Sequence, residues 1–202
     1  MTLRRDVLAA IDADRGAFRT RLSALADEHG CDVVSAVPEA VHPADRTERE
    51  ATLVDRVRVF DDLPLGLTLT GPAYRDTPIV YVNRWFRDRT GYALDELRGR
   101  NPRLLQGPDA DEGTRADEEA RADRNARADR NARADGAARA DIREALSTWS
   151  TVTVELRNRR RDGTPFANRI TLRPLFGDAG TVTHWIAAQE PGPIGAPDAD
   201  VE

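Results

Sequence analysis

From Leu65 the apolar residues alternate with small or polar ones: Leu65, Leu67 and Leu69 are interleaved with Gly66, Thr68 and Thr70. A period of two sends successive side chains to opposite faces of an extended chain, so the segment reads as a strand closed by the Gly71-Pro72 turn. Ile79 to Val82 predicts a second strand. Far downstream, Thr151–Arg159, Pro165–Leu175 and Thr181–Gln189 are three more, joined through Asp162-Gly163 and Gly177–Gly180. Connections that short allow only antiparallel neighbours. The intervening stretches Arg84–Thr90 and Leu94–Leu97 are short helical runs, the first capped by Asn83 and stopped by Gly91. The expected fold class is therefore α+β: one five-stranded antiparallel sheet with helices gathered on one face.

Ahead of this region, residues 1–29 carry a helical pattern in Leu3, Val7, Leu8, Ile11, Phe18, Leu22 and Leu25, with His29-Gly30 as its stop. That helix either packs on its own domain or docks a second copy or a separate effector protein. Residues 31–45 read as a Pro-interrupted linker, and Thr47–Asp61 resumes a helical period through Leu53, Val54, Val57 and Phe60. The expected organisation is an N-terminal extension and linker over 1–60, a domain over 61–190, and a disordered tail over 191–202.

Within the domain, Arg-Ala-Asp recurs at Arg115, Arg121, Arg127, Arg133 and Arg139, every sixth residue. Six matches no helical period, so no face of the insert (about 113–141) stays apolar and it cannot form a core of its own. Its alanines, and Asp-to-Arg pairs four residues apart such as Asp135 with Arg139, favour a solvated helix ending near Gly136.

Composition excludes several classes. No stretch approaches the roughly 20 apolar residues needed to span a bilayer, and the acids among the first residues exclude a secretory leader. One cysteine, Cys31, allows neither an internal disulfide nor a multi-cysteine metal site. A net charge of −5 speaks against a nucleic-acid partner. All 30 bases are arginine, a halophile-like composition, and the expected location is cytoplasmic. No Ser/His/Asp set is visible, and His29, His42 and His184 are scattered, so no enzyme activity is expected.

The segment GRNPRLLQG, residues 99–107, resembles the flavin-binding helix of the light-oxygen-voltage (LOV) subset of PAS domains, whose usual pattern is GRNCRFLQG; seven of nine positions match. TPIVYVN and RTGYALDELRGR upstream, then IREAL, TVTVELRNRRRDGTPF, NRITLRP and THWIAAQ downstream, resemble the same family in the same order. The likeness covers about 61–190, interrupted by the repeat insert.

The resemblance implies a flavin cofactor, FMN or FAD. It places Asn101 and Gln106 along the flavin edge and Arg103 and Arg143 at the ribityl phosphate. Asn158 and Asn168 would meet the pyrimidine end of the ring, and Gln189 its N5 and O4. Leu105, Ile170 and Leu172 would supply apolar walls, Thr70 a polar contact, and Trp185 would face the ring. Where members with the usual photocycle carry the cysteine that forms a thioether with the flavin, this chain has Pro102. The implied function is a blue-light or redox sensor working without that adduct. Photoreduction to the neutral semiquinone, with Trp185, Trp149, Trp85, Tyr81 and Tyr92 as candidate donors, would shift the hydrogen bonds of Gln189. The alternative is a PAS interaction or dimerisation module without flavin. After Glu190 only PGPIGAPDADVE follows, so the expected output runs through the N-terminal helix, a dimer interface or an effector.

Overall fold

The computed structural model describes residues 2–30, 46–106 and 122–192. Cys31, His42, the expected linker, the first part of the repeat insert and the tail beyond residue 192 lie outside the described residues.

The sheet has five antiparallel strands: β1 (Gly66–Thr70), β2 (Ile79–Val82), β3 (Val152–Arg159), β4 (Pro165–Phe176) and β5 (Val182–Gly192). Their spatial order is β2-β1-β5-β4-β3, so the first strand pairs with the last. The expected strands are all present, and β5 continues to Gly192, two residues into the expected tail. Pairing of Gly66 with Gln189, Thr68 with Ala187 and Thr70 with Trp185 sets the β1–β5 register. Gln189 is in turn opposite Ile170 on β4.

The alternation seen in β1 divides two cores. Leu67, Leu69, Leu175, Ile186 and Ala188 point to one face, where they pack with Val7, Leu8, Ile11, Leu53, Val54, Val57 and Phe60. These last residues come from α1 (Leu3–Ile11), α3 (Glu48–Arg58) and, for Phe60, the turn that follows α3. The single helical pattern of residues 1–29 is two helices, broken where Asp14 accepts from the Ala17 amide at 2.8 Å and so caps α2 (Arg15–His29). The apolar side of α1 is thus consumed on its own domain. It is further tied there by Arg173 to Asp12 at 2.6 Å and Arg4 to Glu190 at 2.7 Å.

The helices between β2 and β3 gather on one face, as expected, and it is the face opposite to α1 and α3. They are α4 (Arg84–Thr90), α5 (Leu94–Leu97), a 3-10 turn at Pro102–Gln106 and α6 (Ala122–Thr148). Phe86, Leu97 and Leu105 meet Ile79, Val82 and Phe166 there. Two local expectations are corrected. Asn83 precedes α4 but makes no side-chain cap. Asp61 caps α4 instead, its carboxylate accepting from Arg84 N at 3.1 Å and its carbonyl from Trp85 N at 2.9 Å. The Asn83 amide, fully buried, donates to Phe60 O and Leu65 O and accepts from Leu67 N.

The second correction concerns the insert helix. It does not end near Gly136 but runs through to Thr148. Ala138 and Ile142 pack with Val152, Val154, Leu156 and Ile170 of the sheet. That packing outweighs the roughly 1 kcal/mol that a mid-helix glycine costs relative to alanine. Asp135 does not pair with Arg139: its carboxylate accepts from Arg157 N at 3.0 Å, on the free edge of β3. An acid of the repeat therefore takes a donor that an edge strand would otherwise offer to another chain. No helix among the described residues is long and apolar enough to cross a membrane.

His184 is buried on the α-helical side of β5 facing α3, with a Glu50 oxygen 3.7 Å away. Burial, followed by the charge of Arg49, pulls its pKa down from 6.5 to about 4. Glu50 does not reverse this, because it also pairs with Arg46 at 3.3 Å. A depressed histidine pKa means that the unfolded chain takes up the proton first. The contribution of neutral His184 is complete above pH 6.5 and is lost as pH falls toward 4. Urea titrations should show a loss of about 1–3 kcal/mol across that window, and His184→Gln should remove that part of the slope. Parallel curves for the two proteins would rule out the assignment.

Candidate functional site

A cavity of about 360 Å³ lies between the sheet, the 3-10 turn and the C-terminal half of α6. The two-residue period that built the strands also gathers its floor. Thr68 and Thr70 of β1, Leu156 and Asn158 of β3, Ile170 and Leu172 of β4, and Trp185, Ala187 and Gln189 of β5 all line it. Leu105 and Gln106 close it from the 3-10 turn, and Ile142 and Leu146 from α6. Pro102 is the first residue of that 3-10 turn, where its missing N–H leaves no internal bond unmade, and it lines the cavity.

Of the residues singled out from the sequence, Thr70, Asn101, Arg103, Leu105, Gln106, Arg143, Asn158, Ile170, Leu172, Trp185 and Gln189 converge here. Asn168 does not line the cavity but stands directly behind it. Its Nδ2 donates to Gln189 Oε1 at 2.7 Å, and Gln189 Nε2 donates to Thr68 Oγ1 at 2.6 Å. The Gln189 amide is thus clamped at both ends, and all three residues are buried. Gly66 permits this close packing: a Cβ there would meet the Phe86 ring at 2.5 Å and Gln189 Cβ and O at 3.1 Å.

Two expected contacts take a different form. Asn101 faces the loop, not the interior: its Nδ2 donates to Asp76 O at 2.9 Å and Oδ1 at 2.7 Å, and its Oδ1 accepts from Arg103 N at 2.8 Å. It thereby holds Asp76 and Thr77, which have φ of 62° and 46°. Gln106 Oε1 accepts from Arg139 Nε at 3.0 Å. Among the aromatic candidates, Trp185 alone lines the cavity. Trp149 is 51% exposed, Arg89 stacks on Trp85, and Tyr81 belongs to the opposite core, donating to the Asp61 carboxylate.

Three buried polar atoms around this cavity have no hydrogen-bond partner among the described residues: Asn158 Oδ1, Asn168 Oδ1 and Trp185 Nε1. An orphaned buried polar group costs roughly 1–3 kcal/mol, so their grouping at one cavity asks for a ligand with both donors and acceptors. Among the described residues lining the cavity, Arg103, Arg139, Arg143 and Asp76 carry charge.

Residues that sequence reasoning missed fall into three groups. Thr68, Leu156 and Ala187 follow from the same strand alternation that yielded their neighbours. Arg139, Ile142 and Leu146 share a helical face with Arg143, but only in a helix continued past Gly136. For Asp76 and Thr77 the sequence carries no signal, since their placement depends on an unusual backbone held by Asn101.

A family model described as PAS domain matches residues 67–190. The chain is 30% identical over 138 residues to the bacterioopsin transcriptional activator of Halobacterium salinarum, covering 65% of this chain and 16% of that one. It is 33% identical over 140 residues to blue-light-activated histidine kinase 1 of Erythrobacter litoralis, covering 67% of this chain and 32% of that one. The chain thus spans a third or less of the length of these curated relatives. A solved light-oxygen-voltage domain studied with a flavin analogue matches at 28% identity and a TM-score of 0.51, over 67% of this chain and 82% of that one.

Proposed function

We propose that this chain, which belongs to the PAS domain family and is related to blue-light photoreceptors, holds a flavin in the cavity and senses blue light or redox state without a cysteinyl adduct. The observation that carries the reading is the pair of orphaned amide oxygens, Asn158 Oδ1 and Asn168 Oδ1, beside the clamped Gln189. The polar edge of an isoalloxazine ring alternates N–H donors with carbonyl acceptors and matches such amides. Leu105, Leu156, Ile170 and Leu172 would hold the ring's apolar faces, and Arg103 and Arg143 a phosphate. A bound flavin supplies blue-light absorption and one-electron chemistry. Pro102 offers no thiol, which is why the reading is of a sensor free of the adduct.

The chain's own part is to turn a local proton change into movement. Gln189 presents Oε1 to Asn168 and Nε2 to Thr68. If the Gln189 amide turns over, its Nε2 opposes Asn168 Nδ2, donor against donor. That conflict is relieved only if Asn168 turns as well and presents its orphaned Oδ1. Thr68 follows by rotating its hydroxyl, which both donates and accepts. Two amides on adjacent strands therefore switch together. On the opposite face of β5 the next residue, Glu190, holds Arg4 of α1, so the strand connects the cavity to the N-terminal helices. This is the behaviour of a sensor rather than an enzyme, and the N-terminal helices are the output surface, toward a second copy or an effector.

The test is an absorption spectrum of the purified chain before and after blue light, with far-UV circular dichroism. The expected protein is yellow, converts to a reduced-flavin spectrum in light, and changes its dichroism. Gln189→Leu at saturating flavin should still be photoreduced but lose the dichroism change. A colourless protein that takes up no added flavin would turn the reading to a PAS interaction module.

A further inference from the structure

We propose that the cavity carries a second polar subsite, at the end remote from the amides, where the indole N–H of Trp185, beside Thr70, takes an oxygen atom of the ligand. This rests on the flavin reading above and goes beyond it, because the benzenoid edge of an ordinary flavin carries only methyl groups.

The strands give the cavity a direction. Gln189, Ala187 and Trp185 line it in turn along β5, and Thr70 of β1 is opposite Trp185. Four residues of extended chain separate Gln189 from Trp185, about 13 Å, which is close to the length of a fused three-ring system with its substituents. On β4, Pro174 is opposite Trp185, Ile170 opposite Gln189 and Asn168 opposite Pro191. Asn168 therefore stands farther from Trp185 than Gln189 does, and Asn158 on β3, opposite Phe166, farther again. A ring system whose polar edge meets these amides has its other edge turned toward Trp185 and Thr70.

Trp185 is 1% exposed, and its Nε1 has no hydrogen-bond partner among the described residues. The indole offers one donor and no acceptor. Left unpaired in the interior, that donor is destabilising, and a phenylalanine would line the cavity without the penalty. Packing alone does not call for the N–H; a ligand oxygen does. The Thr70 side chain, equally withdrawn from solvent, adds a hydroxyl that both donates and accepts and so suits the same oxygen. Two parts of a flavin-type ligand bring an oxygen acceptor: a ring oxygen in place of the methyl group at C8, or a hydroxyl of the chain on N10.

The experiment titrates the full-length apoprotein and Trp185→Phe with three ligands, followed by absorbance and fluorescence. These are riboflavin, lumiflavin, which lacks the hydroxylated chain, and 8-demethyl-8-hydroxyriboflavin, which carries the ring oxygen. If the ring supplies the oxygen, the unaltered protein prefers the 8-hydroxy ligand to riboflavin by about tenfold, the worth of one hydrogen bond, and Trp185→Phe erases that preference. If the chain supplies it, the preference for riboflavin over lumiflavin shrinks about tenfold in Trp185→Phe. Taking ratios within one protein cancels any general loss of packing at the substituted site. An unaltered protein that shows neither preference overturns the proposal without any variant. So do ratios that are the same in both proteins, including an equal loss for all three ligands, which would leave Trp185 a packing residue. If the unaltered protein binds none of the three, the flavin reading fails and this proposal with it; if it binds them with unmoved ratios, the flavin reading stands alone.

Discussion

Asn168→Leu is expected to weaken flavin binding about a hundredfold or more while the protein stays folded. Asn168 is fully buried and leucine has the same branched outline, so the change leaves little cavity, and the Gln189 amide has to draw back slightly from the new methyl group. What it removes is polar on two sides. Its Oδ1, behind the cavity wall, has no partner among the described residues, and the proposed flavin would supply one. Its Nδ2 satisfies Gln189 Oε1 at 2.7 Å. Losing one ligand bond and orphaning one buried acceptor cost roughly 1–3 kcal/mol each, and about 2.7 kcal/mol is already a hundredfold. Fluorescence titration reads the affinity, and circular dichroism confirms the fold. A leucine variant that binds flavin as tightly as the unaltered protein would remove Asn168 from the site and with it the paired turning of the two amides.

The largest stability effect is expected at Asn83→Ala. One side chain there serves three backbone groups, of which only Phe60 O has another backbone partner, Leu63 N at 3.3 Å. Its Nδ2 reaches Phe60 O at 3.1 Å and Leu65 O at 2.9 Å, and its Oδ1 takes Leu67 N at 2.8 Å. The Asn83 amide N in turn donates to Leu67 O at 3.0 Å. This residue therefore fastens the connection after α3 to the start of β1 and the end of β2. Removing it leaves buried backbone groups unpaired, at roughly 1–3 kcal/mol each, so urea denaturation should show a loss of about 3–5 kcal/mol. Asn83→Asp should be no better, because a carboxylate would present an acceptor to two carbonyls. A loss below about 1 kcal/mol in the alanine variant would show that water replaces these bonds.

Asn83 also shows where sequence reading stops. An asparagine just before a helical run is an N-cap by local rules, and α4 does begin there. The competing partners, Phe60 O and Leu65 O, come from residues 23 and 18 positions earlier. No local pattern reveals that Asp61 is free to cap α4 in its place. Gly136 is the same kind of case. Glycine stops an isolated helix, but a helix whose next turn packs on β3 continues through it.

What the sequence by itself determined was the set of strands, their antiparallel pairing and the face of each that could hold a ligand. These depend on a two-residue period and on tight Gly-containing turns, which are local. The same alternation put Asn158, Asn168, Ile170, Leu172, Trp185 and Gln189 on a common side of three neighbouring strands. Only the tertiary structure decided that the N-terminal helices cover the opposite face, because an amphipathic helix fits its own sheet and a partner equally well until the chain is closed. It alone turned Asn101 toward Asp76, clamped Gln189 between Asn168 and Thr68, and brought Arg139 of the repeat to the rim beside Arg103. Each of these contacts joins residues far apart in the chain, and their geometry follows from how two layers pack on one sheet.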